Sequence, residues 1–223
     1  MTFSIAGRCP KTGALGAAIS SSSPAVASRC LWMQAGRGVV LTQNVTDPAI
    51  GPEGLALLED GLAAGPALSA LAGRPHFEWR QVAILDADGL AAWHSGTEVL
   101  GIHHAVSGPD CVAVGNLLAT PDVIDAMVEA FVSSAEVALP QRLLQALAKG
   151  KRTGGEAGPE HSAGLKVVTN LVWPVVDLRV DWDDAPITRL EALWQVYQPQ
   201  MDDYVLRARD PGRAPSYGVP GDE

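Results

Sequence analysis

Apolar and polar positions alternate along residues 2–8, with Phe3 and Ile5 on one side and Thr2, Ser4 and Ala6 on the other. A period of two predicts a strand that begins almost at the amino terminus. Pro10-Lys11-Thr12-Gly13 is a turn signal, and residues 14–20 (ALGAAIS) predict its hairpin partner. Residues 38–46 predict a third strand, with Val40, Thr42, Asn44 and Thr46 on one face and Val39, Leu41, Gln43 and Val45 on the other. A helix is predicted over 52–60, where Pro52 and Glu53 stand in the first turn and Gly61 follows the end, and a second over 65–72. Residues 79–86 and 90–95 predict a hairpin about Asp86-Ala87-Asp88-Gly89, and 103–107 and 111–117 predict two more strands. Thr120-Pro121-Asp122 opens a helix that keeps Val123, Ile124, Met127, Val128, Phe131 and Val132 at helical spacing to about residue 136. A helix over 140–149, a glycine-rich loop over 150–161, strands over 163–170 and 174–182 and a last helix over 186–207 complete the pattern.

Hairpins dominate this order and βαβ alternation is weak. Two antiparallel sheets with paired helices outside them absorb it, which makes the fold class α+β. A Rossmann fold does not, and no Gly-x-Gly-x-x-Gly follows a strand. The 223 residues suffice for a single domain over 1–209, followed by a Pro/Gly-rich, extended tail over 210–223.

Composition narrows the function. Apolar residues make up 47% and charged residues 18%, as in globular chains. A formal charge of -9 and the lack of a basic stripe remove the electrostatic component of nucleic-acid binding. No 18-residue apolar run predicts a membrane span, and residues 1–20 lack the pattern of a secretory signal. Cys9, Cys30 and Cys111 form neither a disulfide framework nor a paired zinc pattern, which fits a cytoplasmic setting. No His/Asp/Glu set has ligand spacing, so neither a metal nor another cofactor is expected. Ile187, Leu190, Trp194, Tyr197, Met201 and Tyr204 form one stripe on the last helix, which suits core or subunit contact and hints at a homodimer.

The most informative residue is Thr2. Removal of Met1 would leave a hydroxyl and an α-amine on one residue, the amine a base with a reference pKa near ~7.7–8.0. That pair can work as nucleophile and general base at a carbonyl. Asn116, at the end of a predicted strand, is a candidate donor to a tetrahedral oxyanion. Asn44 and Thr46, on a polar strand face, are candidates for substrate positioning. Ser22 and Ser23 could orient the Thr2 amine. His161 and Ser162, where the glycine-rich loop enters a strand, are further candidates for the substrate site. Cys30 is the alternative nucleophile, although no base stands beside it in sequence.

A set of short motifs resembles one family. They include Thr2-Phe3-Ser4-Ile5-Ala6 with the Pro10–Gly13 turn, Leu15–Ser20, Ser23-Pro24-Ala25-Val26 and Thr42-Gln43-Asn44-Val45-Thr46-Asp47-Pro48. Gly51-Pro52-Glu53-Gly54-Leu55, Gln81–Asp86, Val114-Gly115-Asn116-Leu117-Leu118 and Ser162-Ala163-Gly164-Leu165 complete the set. In this order and spacing, from Thr2 to about Ala208, the chain resembles the domain-of-unknown-function family 1028 of the N-terminal-nucleophile (Ntn) hydrolase superfamily. The resemblance implies a four-layer αββα sandwich and hydrolase ancestry, with an amide-type bond as the natural substrate class. The leading expectation is therefore an amidohydrolase acting on a small amide or ureido molecule through Thr2. The alternative is a non-catalytic metabolite-binding or assembly protein on the same scaffold, which would keep Met1.

Overall fold

A computed structural model describes residues 1–222. The first strand, β1 (Thr2–Arg8), pairs antiparallel with β2 (Leu15–Ser21) through the Pro10–Gly13 turn. A short helix α1 (Ala27–Cys30) leads into β3 (Leu31–Gln34) and β4 (Gly38–Asn44). Helices α2 (Ile50–Glu59) and α3 (Ala64–Leu71) follow, then strands β5 (Arg80–Asp86), β6 (Ala91–Ser95), β7 (His104–Gly108) and β8 (Cys111–Asn116). Helices α4 (Asp122–Ser133) and α5 (Leu139–Thr153), strands β9 (Ser162–Val168) and β10 (Val176–Val180), and helices α6 (Pro186–Tyr197) and α7 (Met201–Arg209) complete the chain. Two antiparallel sheets result, one of six strands ordered β10-β9-β2-β1-β8-β7 and one of four ordered β3-β4-β5-β6. This is the α+β class that the hairpin-rich pattern predicts.

Alternation decides what each face touches. On β1, Phe3 and Ile5 pack into a core shared with Met127 and Phe131 of α4 and Leu143 and Leu147 of α5. Ala6, together with Leu15, Ala17 and Ile19 of β2, joins Val39 and Leu41 of β4 and Ala83 and Leu85 of β5 in a second core between the sheets. Val40, Val82 and Ile84 turn the other way and pack with Ile50 and Leu58 of α2 and Ala64, Ala67 and Leu71 of α3. Both faces of the central strands are thus buried, which is why β1 and β2 carry small residues. Gly51 shows how close the contacts are: a Cβ there would lie 2.1 Å from Trp32 Cγ.

Several expectations need correction. The third predicted strand stops at Asn44, which has φ 68°, so Thr46 lies beyond it and the polar row does not run on. The predicted loop over 150–161 begins late, because α5 continues to Thr153 and ends where Gly154 takes φ 140°. The last helix is two helices, separated by a 3-10 turn over Gln198–Gln200, where Pro199 can offer no N–H to a continuous helix. Its stripe divides accordingly: Ile187, Leu190 and Trp194 are buried on the six-stranded sheet, whereas Tyr204 is exposed. Residues α1 and β3, four each, carried too short a pattern to be predicted. Beyond α7 the chain folds back on it: Arg207 of α7 stacks its guanidinium 3.9 Å from the Tyr217 ring centre and donates to the carbonyl of Pro215.

Candidate functional site

Three strand ends converge at residue 2. In register, Thr2 of β1 faces Ser21 of β2 on one side and Asn116 of β8 on the other. Cross-strand partners project to the same face, here the one toward the second sheet. Thr2 is buried at 7% exposure, and its Oγ1 lies 3.2 Å from Ser21 Oγ. Both hydroxyls donate to the carbonyl oxygen of Met1, Ser21 at 2.5 Å. With Met1 in place the Thr2 nitrogen is an amide and has no basic lone pair.

Below Thr2 a chain of buried polar side chains crosses between the sheets. Ser4 Oγ donates to Gln43 Oε1 (2.7 Å), Gln43 Nε2 to Gln81 Oε1 (2.7 Å), and Asn116 Nδ2 to the same Gln81 oxygen (3.1 Å). Gln81 Nε2 is fixed by Ser95 Oγ and the carbonyl of Gly115. The amide orientations are therefore determined along the whole chain, since each nitrogen must meet an oxygen. The consequence reaches Asn116, whose Oδ1 is left buried without a partner. Leu117 then takes the left-handed conformation (φ 50°), uncommon for a residue with a branched side chain, and turns the chain away at once.

That turn anchors the glycine-rich loop. Ala157 donates its N–H to the carbonyl of Leu117, Ala119 to that of Gly155, and Leu118 bridges to Glu156. The loop thereby carries Glu156 to the end of β2, where both carboxylate oxygens accept the Ser22 N–H at 3.1–3.2 Å. Glu156 and Glu160 are 4% and 3% exposed. Lys151 pairs with Glu160, which also accepts the Glu156 N–H. The Glu156 carboxyl is pushed up to about 8, chiefly by burial and also by neighbouring Glu160, against the opposing pull of the chain's amino end and the Ser22 N–H.

The candidates from the sequence divide into three groups. Thr2 and Asn116 stand side by side, and Ser22 and Ser23 border them: Ser23 donates its N–H to Ser21 Oγ at 3.0 Å. Ser162 is buried and pins the turn after β2, its Oγ donating to the Ser23 carbonyl (2.6 Å) and accepting from the Val26 N–H (3.2 Å). His161 donates its backbone N–H to Ser21, while its ring stacks on Trp182 with centroids 4.3 Å apart. Asn44 and Thr46 are engaged elsewhere: Asn44 ties the Trp79 carbonyl to the Leu100 N–H, and Thr46 bonds the Asn44 carbonyl. Cys30 is 2% exposed, and burial pushes its thiol up, away from the thiolate a nucleophile needs.

Ser21, Gln43, Gln81 and Glu156 were not singled out from the sequence. Gln43 lay on the strand face opposite to the polar row. A polar residue at an inward alternating position was the signal available for it and for Gln81. Among the described residues no three His, Cys, Asp or Glu side chains come together as a metal-ligand set, and no helix is long and apolar enough to cross a membrane. A cleft of about 640 Å³ lined by Thr12, Met33, Asn170 and Trp173 opens at the opposite end of the β1–β2 hairpin, remote from Thr2.

No curated protein matches the chain. A crystal structure of a protein from Silicibacter pomeroyi matches with 32% identity, TM-score 0.85, and coverage of 91% of this chain and 89% of that one. Anbu (ancestral beta-subunit) from Yersinia bercovieri is similar at 11% identity and TM-score 0.43, covering 90% of this chain and 96% of its own. Anbu from Hyphomicrobium sp. strain MC1, a Gly-1 mutant, gives 13%, 0.43, 90% and 96%. The Silicibacter protein is assigned to the family of unknown function DUF1028, whose family pattern covers residues 2–190 here, and to that family this chain belongs.

Proposed function

We propose that the protein is an Ntn-type amidohydrolase whose nucleophile is Thr2 after removal of Met1. One observation carries the reading: the Thr2 hydroxyl opens the central strand and stands with the Ser21 hydroxyl on an acyl oxygen, that of Met1 itself. In the mature chain the Thr2 α-amine would take the hydroxyl proton while Oγ1 attacks the substrate's acyl carbon. The C–N bond then breaks, and the proton passes to the leaving amine. Water hydrolyses the resulting ester, releasing the acid and restoring the Thr2 hydroxyl. In this reading the Ser21 hydroxyl and the second N–H of Asn116 Nδ2 stabilise the oxyanion. Ser22, Ser23 and Ser162 hold the end of β2, and His161 borders the entrance. Asn44 and Thr46 shape the neighbouring loop. The three successive cores support the four-layer αββα arrangement expected of such an enzyme.

The second reading is a binding protein that keeps Met1. It has its own support: the Met1 carbonyl satisfies both hydroxyls, and the acylated Thr2 nitrogen cannot act as a base. Intact-mass measurement on native protein separates the two, and a mass that includes methionine eliminates hydrolysis through Thr2. Once any amide is found to be turned over, Thr2→Ala should lower kcat at least ~1,000-fold with little change in melting temperature. Undiminished turnover would remove Thr2 from the chemistry.

A further inference from the structure

Two buried glutamates share one side-chain cation. Lys151 is committed to Glu160, so Glu156 has the Ser22 N–H but no side-chain cation of its own. A carboxyl this buried without a counter-charge is costly unless one is supplied. The register says where a counter-charge would enter. Thr2 faces Ser21, so the residue before Thr2 runs alongside Ser22, the residue that holds Glu156. In the present chain that residue is Met1, whose amino group is on the Ser22 side of Thr2 but makes no ion pair with Glu156 within 4 Å.

Met1 also outlines the rest of the recess. Its carbonyl oxygen rests on the Ser21 and Thr2 hydroxyls. Its side chain lies over Gly158, where an added Cβ would come within 2.9 Å of Met1 Cε and 3.4 Å of Sδ. Asn116, 1% exposed and cross-strand from Thr2, leaves its Oδ1 as a buried acceptor without a partner. An acyl group with a positive amine beside its carbonyl suits the two hydroxyls and the carboxyl without a counter-charge. Removal of Met1 would vacate the place that such a group fills.

We infer that the substrate is an amide of an acyl group bearing a free α-amine, an amino-acid amide or the amino end of a short peptide, with its ammonium held at Glu156 where Met1 now lies. This rests on Thr2 hydrolysis for turnover but not for binding, and the two can be tested apart. The test uses the full chain without Met1, verified by intact mass. Calorimetry compares L-methioninamide with N-acetyl-L-methioninamide, and turnover compares the p-nitroanilides of L-methionine and N-acetyl-L-methionine. The free amine should bind at least about tenfold tighter, as expected for a charge-assisted hydrogen bond. Glu156→Gln, which can still accept the Ser22 N–H, should reduce that preference to about twofold or less. Equal or tighter binding of the acetylated amide, or binding of neither, overturns the inference. Selective binding with both anilides inert sustains it while refuting hydrolysis of these anilides through Thr2. Cleavage of both anilides at equal rates does the reverse.

Discussion

At the scale of single residues, Glu156 lies in surroundings that a carboxylate avoids. Its carboxyl is raised from an ordinary value of 4.5 to about 8, chiefly by burial. The folded state therefore holds a proton there between these values, where the unfolded chain has released it. The contribution is fully present below about pH 4.5 and is lost as pH rises through about 8. A tenfold change in proton affinity is worth ~1.4 kcal/mol, or about 3–6 °C in melting temperature for a domain of this size. Calorimetric scans at pH 5 and pH 8 should show at least that fall in the wild type and a clearly smaller one in Glu156→Gln. Equal falls would mean that the carboxyl titrates normally. Asp47, whose carboxyl Arg74 helps hold below its usual range, acts only at more acid pH and does not enter this window. None of this was legible in the sequence, because a glutamate in a glycine-rich loop carries no periodicity and its burial depends on the turn at Leu117. The place of Thr2 was legible, since alternation from residue 2 onward puts it at the start of β1, where the structure sets it between Ser21 and Asn116.

Elements were readable in proportion to how many periods each displays. The β1–β2 and β5–β6 hairpins each combine alternation with a turn signal, and the structure has both; the two strands expected over 103–107 and 111–117 are β7 and β8, which pair with each other. Helix α1 and strand β3 lack a full pattern and are held by contacts instead. Gly164 of β9 is one such contact, since a Cβ there would lie 2.4 Å from Ala27 Cβ. Neither partner has a flexible end that could move aside. Gly164→Ala should therefore push α1 off β9 and cost about 1–3 kcal/mol by overpacking. Urea unfolding would measure it, with an unchanged midpoint counting against the contact. The strain should reach the site too, because Ser162, two residues away, holds the turn that joins β2 to α1. The faces of each strand followed from the period of two, but which face met the other sheet did not. That is why Gln43 was passed over for Asn44 and Thr46: alternation fixes that two sides exist, and only packing decides which is inside.

For the whole molecule the open question is whether the apolar stripe of the last helices holds one chain together or two. Helix α6 lays Ile187, Leu190 and Trp194 on the core of the six-stranded sheet, and Trp194 is 1% exposed with its Nε1 donating to Gln141 of α5. Tyr197 donates its hydroxyl to the Val175 carbonyl before β10. These contacts lie within the chain, so the upper stripe cannot also form a subunit interface. The proposal of a homodimer must then rely on surface farther along, where Val196 and Tyr204 are exposed at 67% and 41%. Trp194→Ala separates the two roles. As a core truncation it should cost about 3–5 kcal/mol, lowering the melting temperature by roughly 6–20 °C. Sedimentation at matched concentration should show the same mass for variant and wild type. A change in mass with melting unaffected would instead place Trp194 between subunits and reassign the stripe. The stability effect follows from the geometry of one helix on one sheet, and it would stand whether the mature chain hydrolyses an amide or only binds one.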